Sequence, residues 1–368
     1  METALIPAVG PAPNAFKRFL SPVVSPQVFD FWASKVDPTW SWARPLARVV
    51  GREEAAIDAV TLHLQPNRLW TGFRAGQHVN VGAEINGAQV ARSYSPSAPP
   101  RADGRVSITV KRVPGGILSE YLCTQAQVGD VLTLGSAFGE MASPEAAAEP
   151  GLFLAAGSGI TPLMALIREY ATRPHAAPLT LVYWARSPAQ FCFAEELSAM
   201  AAAHPGFSVH FVVTSDTKGA YGEPGGRLDH ALLSKLVPDF AACQVRACGP
   251  AGFVETARVL LADTARGFLA EAFTPPPRVP GEGGTVQVTL ARSHRTVSVP
   301  RNASLLLALE AQGLRPASGC RMGICNTCAC GKRAGSARNL HTGAFTDEPA
   351  SALKLCVHAA ATDLVLDL

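Results

Sequence analysis

Five of the nine cysteines in this 368-residue chain fall between Cys320 and Cys356. Three of them, Cys320, Cys325 and Cys328, stand in GCRMGICNTC with the spacing C-x4-C-x2-C. A disulfide scaffold spreads its cysteines through a short secreted chain, whereas thiols crowded into one stretch of a long chain point to a metal site in a reducing compartment. Zinc ribbons show paired C-x2-C knuckles, and only one such pair occurs here beside the x4 gap. With Cys356 following in KLCVHAA, the spacing is that of four thiolates holding the two irons of a [2Fe–2S] cluster. A small anionic cluster needs the backbone wrapped close, with amide N–H groups aimed at its sulfurs. Gly319 and Gly323 permit that approach because they carry no Cβ. Cys330 lies too near Cys328 to be the fourth ligand without straining the loop, and reads as a buried thiol.

The rest of the chain must supply something for such a site to exchange electrons with. Apolar residues make up 48% and charged residues 17%, which excludes a disordered chain. A net charge of +3 on 32 basic and 29 acidic residues is too weak to argue for nucleic-acid binding. No apolar run is long enough to span a bilayer. METALIPAVGPAP lacks the basic and apolar regions of a secretory signal, so the expected location is the cytoplasm. The length suits two or three domains. TPPPRVPGEGG pairs stiff prolines with permissive glycines, marking a linker at 274–283 before a module at 284–368. A softer boundary lies at Ser143–Pro150, SPEAAAEP. Residues 44–147 alternate apolar and polar in short runs, among them AIDAVTLHL, QHVNVGA and RVSITVKRV, as in an antiparallel β-barrel. Residues 148–273 alternate strand-like GLFLAA, LTLVYW, FSVHFVV and QVRAC with helical segments, the mark of an α/β parallel-sheet domain.

Residues 284–368 resemble a plant-type ferredoxin, which implies a β-grasp fold. VQVTL fits its opening strand, SLLLALEAQ its helix and TDLVLDL its closing strand. One departure is charge, since nine Lys and Arg against five Asp and Glu make this segment +4, where familiar plant ferredoxins are acidic.

RSYSPS, Arg92–Ser97, ends a barrel strand and offers a phosphate clamp, a planar stacking surface and a hydroxyl. VKRVPGGILSEYL then sets Gly115 and Gly116 before a short helix containing Ser119, and such a helix start is an anion site. In this order the two motifs resemble the flavin-binding motifs of the ferredoxin–NADP reductase superfamily. The resemblance implies FAD bound by RSYS (Arg92, Ser93, Tyr94, Ser95), with Arg92 on the pyrophosphate, Tyr94 against the isoalloxazine and Ser95 near its N5. Gly115, Gly116 and Ser119 would hold the pyrophosphate from the helix end. LFLAAGSGITPLMALIREY is a strand, a turn with Gly157 and Gly159, and a helix that Thr161 caps and Pro162 begins. It reads G-x-G-x-T-P, the superfamily's variant of the dinucleotide turn.

In ACGP, the resemblance sets Cys248 beside the nicotinamide C4, with Gly249 and Pro250; a buried inert thiol is the other reading. Glu271 and Phe273 fall where the superfamily has an acid and a terminal aromatic, making Ser95, Cys248 and Glu271 the expected catalytic set. Arg186, Ser215, Lys218 and Tyr221 could grip the 2′-phosphate of NADPH, while Asp216 suits the free ribose of NADH. The balance leans to NADPH.

Nicotinamide gives electrons as a pair and an iron–sulfur cluster takes one at a time, so a flavin must stand between them. Over residues 44–368 the chain resembles the fused reductase components of oxygenase and desaturase systems. That implies electron flow from NAD(P)H through FAD and [2Fe–2S] to a terminal diiron hydroxylase or fatty-acid desaturase. A reductase of a soluble ring-hydroxylating dioxygenase, and a redox sensor, are the alternatives. Residues 1–43 carry Phe16, Phe19, Phe29, Phe31, Trp32, Trp40 and Trp42. They read as an arm packed on the barrel, or as a docking surface for a partner or a peripheral membrane contact. No Ser/His/Asp triad is evident, and the nine scattered histidines read mostly as surface or capping residues.

Overall fold

The computed structural model describes residues 25–141, 149–173, 177–215, 225–273 and 283–368. Most of the expected linker, together with Phe16, Phe19, Asp216, Lys218 and Tyr221, lies outside them. The chain is first described at helix α1 (Pro26–Val36), capped by Ser25, whose hydroxyl accepts from Val28 N at 3.3 Å. Ala33 is buried, Phe29 meets Trp42 edge-on at 5.3 Å, and Asp30 accepts from Trp42 N at 2.5 Å. Phe31, Trp32 and Trp40 instead remain more than half exposed. One face of the arm therefore packs and the other meets solvent.

Alternation of apolar and polar residues from position 46 builds six antiparallel strands. They are β1 (Leu46–Ala56), β2 (Ala59–Pro66), β3 (Val79–Ile85), β4 (Ala88–Tyr94), β5 (Val106–Lys111) and β6 (Val131–Leu134), in the order β4-β3-β6-β1-β2-β5. The inward set, including Val49, Leu62, Leu64, Val79, Val81, Ile108 and Val110, is fully buried, and α2 (Ile117–Thr124) adds Leu118 and Leu122. The run AIDAVTLHL, read as one strand, is divided: Ala56 pairs with Ala59 across the Ile57–Asp58 turn. Alternation continues through a two-residue hairpin turn, so periodicity alone does not reveal it.

A second sheet is wholly parallel. Its strands are β7 (Gly151–Ala156), β8 (Leu179–Ala185), β9 (Phe207–Val213), β10 (Gln244–Gly249) and β11 (Gly267–Ala272), ordered β11-β10-β7-β8-β9. Helices α3 (Ile160–Tyr170), α4 (Ala194–Ala203), α5 (His230–Leu236) and α6 (Ala251–Leu261) pair with it around two apolar clusters. Burial on both faces explains why its central strands read as near-continuous apolar runs. The chain builds outward from β7 to β9, then returns to place β10 on the other side of β7. That reversal opens a crevice at the carboxyl ends of β7 and β10, where dinucleotides bind in such sheets.

The start of α3 corrects the expected cap. A tight turn at Gly157–Gly159 runs straight into the helix, so Thr161 and Pro162 are its second and third residues. Thr161 Oγ1 donates to Ser158 O at 3.1 Å instead of capping. Pro162 is still tolerated, because amides of the first turn have no intrahelical acceptor.

The last unit has a mixed sheet of β12 (Thr285–Leu290), β13 (Arg295–Pro300), β14 (Ala329–Ala334), β17 (Ala350–Lys354) and β19 (Leu364–Leu366), ordered β13-β12-β19-β14-β17. β15 (Ala337–Asn339), β16 (Phe345–Thr346) and β18 (His358–Ala360) form a small second sheet. Helix α7 (Leu305–Ala311) buries Leu305, Leu306 and Leu309 against this core. The three units are an antiparallel barrel, an α/β parallel sheet and a β-grasp domain. Among the described residues, no helix is long and apolar enough to cross a membrane.

Candidate functional site

The loop between α7 and β14 supplies Cys320, Cys325 and Cys328, and the turn after β17 adds Cys356, so that the four thiols stand as two pairs, Cys320 with Cys325 and Cys328 with Cys356. Cys320 and Cys325 exchange backbone-to-sulfur contacts at 3.2 and 3.3 Å. Met322 N points at Cys320 Sγ at 3.4 Å, and Gly323 N at Cys356 Sγ at 3.2 Å. In each pair the partner's S–H pulls one thiol down, Cys325 to about 5 and Cys328 to about 7. A Cβ on Gly319 would stand 2.9 Å from Cys325 Sγ, and Gly323 sits at φ +79°, 3.0 Å from Val357 by the same measure. Lys354 Nζ donates to Gly323 O at 2.7 Å, and Arg321 grips Glu310 at 2.7 and 2.5 Å, bracing the loop from both sides. Two thiol pairs with amides aimed at their sulfurs fit a two-iron cluster held by two thiolates per iron. Cys330 stays apart, buried in the core with its thiol donating to Gly331 O at 3.4 Å.

The RSYS residues lie where β4 ends. Arg92 is half-buried, donates to Ala91 O at 2.7 Å, and has its pKa lowered by burial and by the nearby Arg321 guanidinium. Ser93 Oγ donates to Asn80 Oδ1 at 2.5 Å, and burial pushes the Tyr94 phenol up. Ser95 Oγ lies 2.6 Å from His78 Nδ1, whose Nε2 in turn meets a Glu271 carboxylate oxygen. His78 is 1% exposed and Glu271 8%. Phe273 lies edge-on to His78 at 5.6 Å. Cys248 is fully buried, its thiol raised by that burial and then by Glu271.

Ser95, Cys248, Glu271 and Phe273 thus gather from separate segments, around a histidine the sequence reading left among the scattered ones. His78 is the exception to that reading among the described residues, since it stands in a buried Ser–His–Glu chain. The available signal was QHVNV: His78 and Asn80 share one strand face, opposite the buried Val79 and Val81.

Gly115 (φ +73°) and Gly116 lead into α2 as expected. Ser119 differs, because its hydroxyl accepts from Val113 N at 3.2 Å and donates to Gly116 O at 3.2 Å. It therefore braces the turn that leads into α2. In the parallel sheet, a Cβ on Gly159 would come within 2.1 Å of Cys248 O. Only glycine lets this turn sit against the Cys248–Gly249–Pro250 segment. Beside it lies a cavity of about 690 Å³ lined by Gly157, Ser158, Trp184, Arg186, Thr214, Arg227, Pro250 and Phe253, with Lys111 reaching in from the barrel. The Trp184 indole N–H is buried there without a partner, a polar atom left over for a ligand. Arg186 faces this cavity, while the Ser215 hydroxyl bonds to Arg186 O. Arg227 and Lys111 are cations that the sequence reading did not single out.

A second cavity, of about 900 Å³, touches all three units: Phe138 and Gly139 from the barrel, Glu255, Arg258 and Glu271 from the parallel sheet, and Met322, Gly323 and Ile324 from the cluster loop. The acid end of the Ser–His–Glu chain and the cluster loop thus border one space.

Comparison with known proteins agrees with this geometry. The Oxidoreductase FAD-binding domain family matches residues 48–142, the Oxidoreductase NAD-binding domain family 153–259, and the 2Fe-2S iron-sulfur cluster binding domain family 288–360. An NADPH oxidoreductase of Mycobacterium tuberculosis is 32% identical over 365 residues, covering 97% of this chain and 93% of that protein. A glycine betaine monooxygenase reductase subunit of Pseudomonas aeruginosa is 30% identical over 354 residues, covering 89% and 96%. The solved structure of phthalate dioxygenase reductase, described as modular for electron transfer from pyridine nucleotides to [2Fe–2S], superposes with a TM-score of 0.60 at 25% identity, covering 88% and 97%. The chain belongs to the FAD- and NAD-binding oxidoreductases of the ferredoxin reductase type that carry a C-terminal [2Fe–2S] domain.

Proposed function

We propose that this protein is the reductase of an oxygenase system, taking a hydride from NADPH and passing electrons singly through its cluster to the oxygenase component. The observation that carries this reading is the shared cleft, on which Glu271 and the cluster-loop residues Met322, Gly323 and Ile324 converge. The reductase subunits among the relatives support an oxygenase as acceptor. A second acceptor class, a membrane-bound diiron hydroxylase or fatty-acid desaturase, is favoured by one feature alone, the exposed Phe31, Trp32 and Trp40 of the arm.

Bound FAD supplies the conversion of a two-electron donor into single electrons. The chain's own groups do the rest. Arg92 and the start of α2 hold phosphate, while Tyr94 offers a flat surface. Gly157, Gly159 and the Cys248–Pro250 segment seat the nicotinamide end, and Arg186 and Arg227 offer positive charge at the ribose end. Cys248 stays a neutral thiol at physiological pH, adding bulk without charge beside the reacting carbon. Once electrons depart singly, the proton left behind needs an exit from a buried place. Ser95 Oγ can pass it to His78 Nδ1, with Glu271 stabilising the charged imidazole through Nε2.

Anaerobic mixing with NADPH tests the order of carriers. Flavin absorbance should bleach first and cluster absorbance follow, with electrons then reaching an added oxygenase component. Cluster reduction before flavin bleaching would overturn the reading.

A further inference from the structure

One side chain spans the gap between the flavin motif and the cluster loop, and it belongs to neither motif. Asn80 sits on β3 directly opposite Ser93 on β4, so both side chains share a face. Its Oδ1 accepts from Ser93 Oγ at 2.5 Å, which fixes the orientation of the carboxamide. The carboxamide NH2 faces Gly319 of the cluster loop. The point a Gly319 Cβ would occupy is 2.9 Å from Cys325 Sγ, 2.9 Å from Thr327 Oγ1 and 3.1 Å from Asn80 Nδ2. Three polar groups therefore converge over a glycine that adjoins Cys320, and only one of them comes from the barrel. On the same side, the cluster-loop Arg321 and its partner Glu310 act electrostatically on Arg92. Gly135 leaves room for this arrangement, since a Cβ there would press on Asn80 Cβ at 3.1 Å.

We propose that Asn80 is a positioning residue for electron transfer, seating the cluster loop against the flavin motif and presenting an N–H donor to the sulfur side of the cluster. Donors beside cluster sulfurs stabilise the reduced, more negative form and so raise its potential. The step it serves moves one electron from the flavin side to the cluster, with no bond made or broken. Asn80 thus sets two quantities together: the separation of the carriers, and the driving force between them. This inference rests on the carrier order proposed above.

The test uses the full-length holoprotein. Asn80→Leu removes both halves of the bridge, Asn80→Asp keeps the acceptor for Ser93 but loses the donor, and Ser93→Ala frees the carboxamide to rotate. Cluster and flavin midpoint potentials are measured by spectroscopically monitored redox titration, and flavin-to-cluster transfer by stopped flow. Both Asn80 variants should lower the cluster potential and slow transfer about tenfold, with flavin potential, iron and sulfide content unchanged. Ser93→Ala should shift both quantities less, in the same direction. Wild-type cluster potential and transfer rate in Asn80→Leu and Asn80→Asp would overturn the proposal. A wild-type protein in which cluster reduction precedes flavin bleaching would instead overturn the carrier order, so the two failures are distinct.

Discussion

The cluster loop and the Ser95–His78–Glu271 chain are built in opposite ways. Three cluster thiols come from one loop, residues 320–328, and the fourth, Cys356, from the turn after β17 of the same domain; the groups that tune them are the partner thiols and backbone amides of that loop. The chain joins two domains, its histidine and glutamate lying 193 residues apart. The loop needs only its own domain to be folded, whereas the chain exists only while barrel and parallel sheet are docked. The loop should therefore still assemble its cluster after changes at the domain boundary that break the chain.

The largest expected effect separates the two centres. Cys328→Ser should cut cytochrome c reduction by NADPH about a hundredfold, while ferricyanide, a flavin acceptor, is reduced at nearly the wild-type rate. Equal loss with both acceptors would mean that the cluster loop and the flavin site fail together, and the contrast between them would be lost.

The next effect falls on the chain. His78→Phe keeps a ring against Phe138 and Phe273 but removes both nitrogens, and Glu271→Gln keeps the shape but removes the charge. Each should slow NADPH-driven turnover by about 10²-fold, with the cluster spectrum unchanged. The double variant should cost little more than either single one, since the two act as a unit. Additive losses in a double-mutant cycle would show two independent roles instead of one relay.

The same contrast decides what could be read from sequence. Cysteine spacing revealed the loop because its geometry is local: three closely spaced thiols and two glycines admit few arrangements, with Cys356 joining from the same domain. The barrel and the parallel sheet were legible for a related reason, since alternation in one and apolar strands between helices in the other are properties of short windows. His78 and Asn80 had no such signature. Both interrupt an apolar strand on one face, yet their partners, Ser95, Glu271, Ser93 and Gly319, are named only by the fold. Thr161 was misjudged as a cap because nothing in GSGITP distinguishes a free turn from one continuing into the helix. The cations Lys111 and Arg227 were passed over because each joins the cavity beside Gly157 and Pro250 only once the fold has formed.

The smallest effect uses one residue type in both settings. In the cluster loop, thiol partners hold Cys325 near 5 and Cys328 near 7. Elsewhere burial pushes Cys123 and Cys192 to about 11 and Cys248 higher still. After gentle removal of the cluster, iodoacetamide at pH 8 should label Cys325 and Cys328 first, leaving Cys123, Cys192 and Cys248 unmodified by mass spectrometry. The raised thiols also tie stability to pH. An unfolded thiol ionises near 9.0 and the folded one only near 11, so the stabilisation is complete below pH 9 and is lost as pH climbs towards 11. For Cys192, which is 3% exposed, moving from pH 8 to 10 should cost about 1 kcal/mol. Urea unfolding of wild type against Cys192→Ala reads that difference. A wild-type midpoint that falls no more than the variant's would show that this pocket does not hold the thiol neutral, and the contrast between buried thiols and partner-stabilised cluster thiols would fail on the buried side.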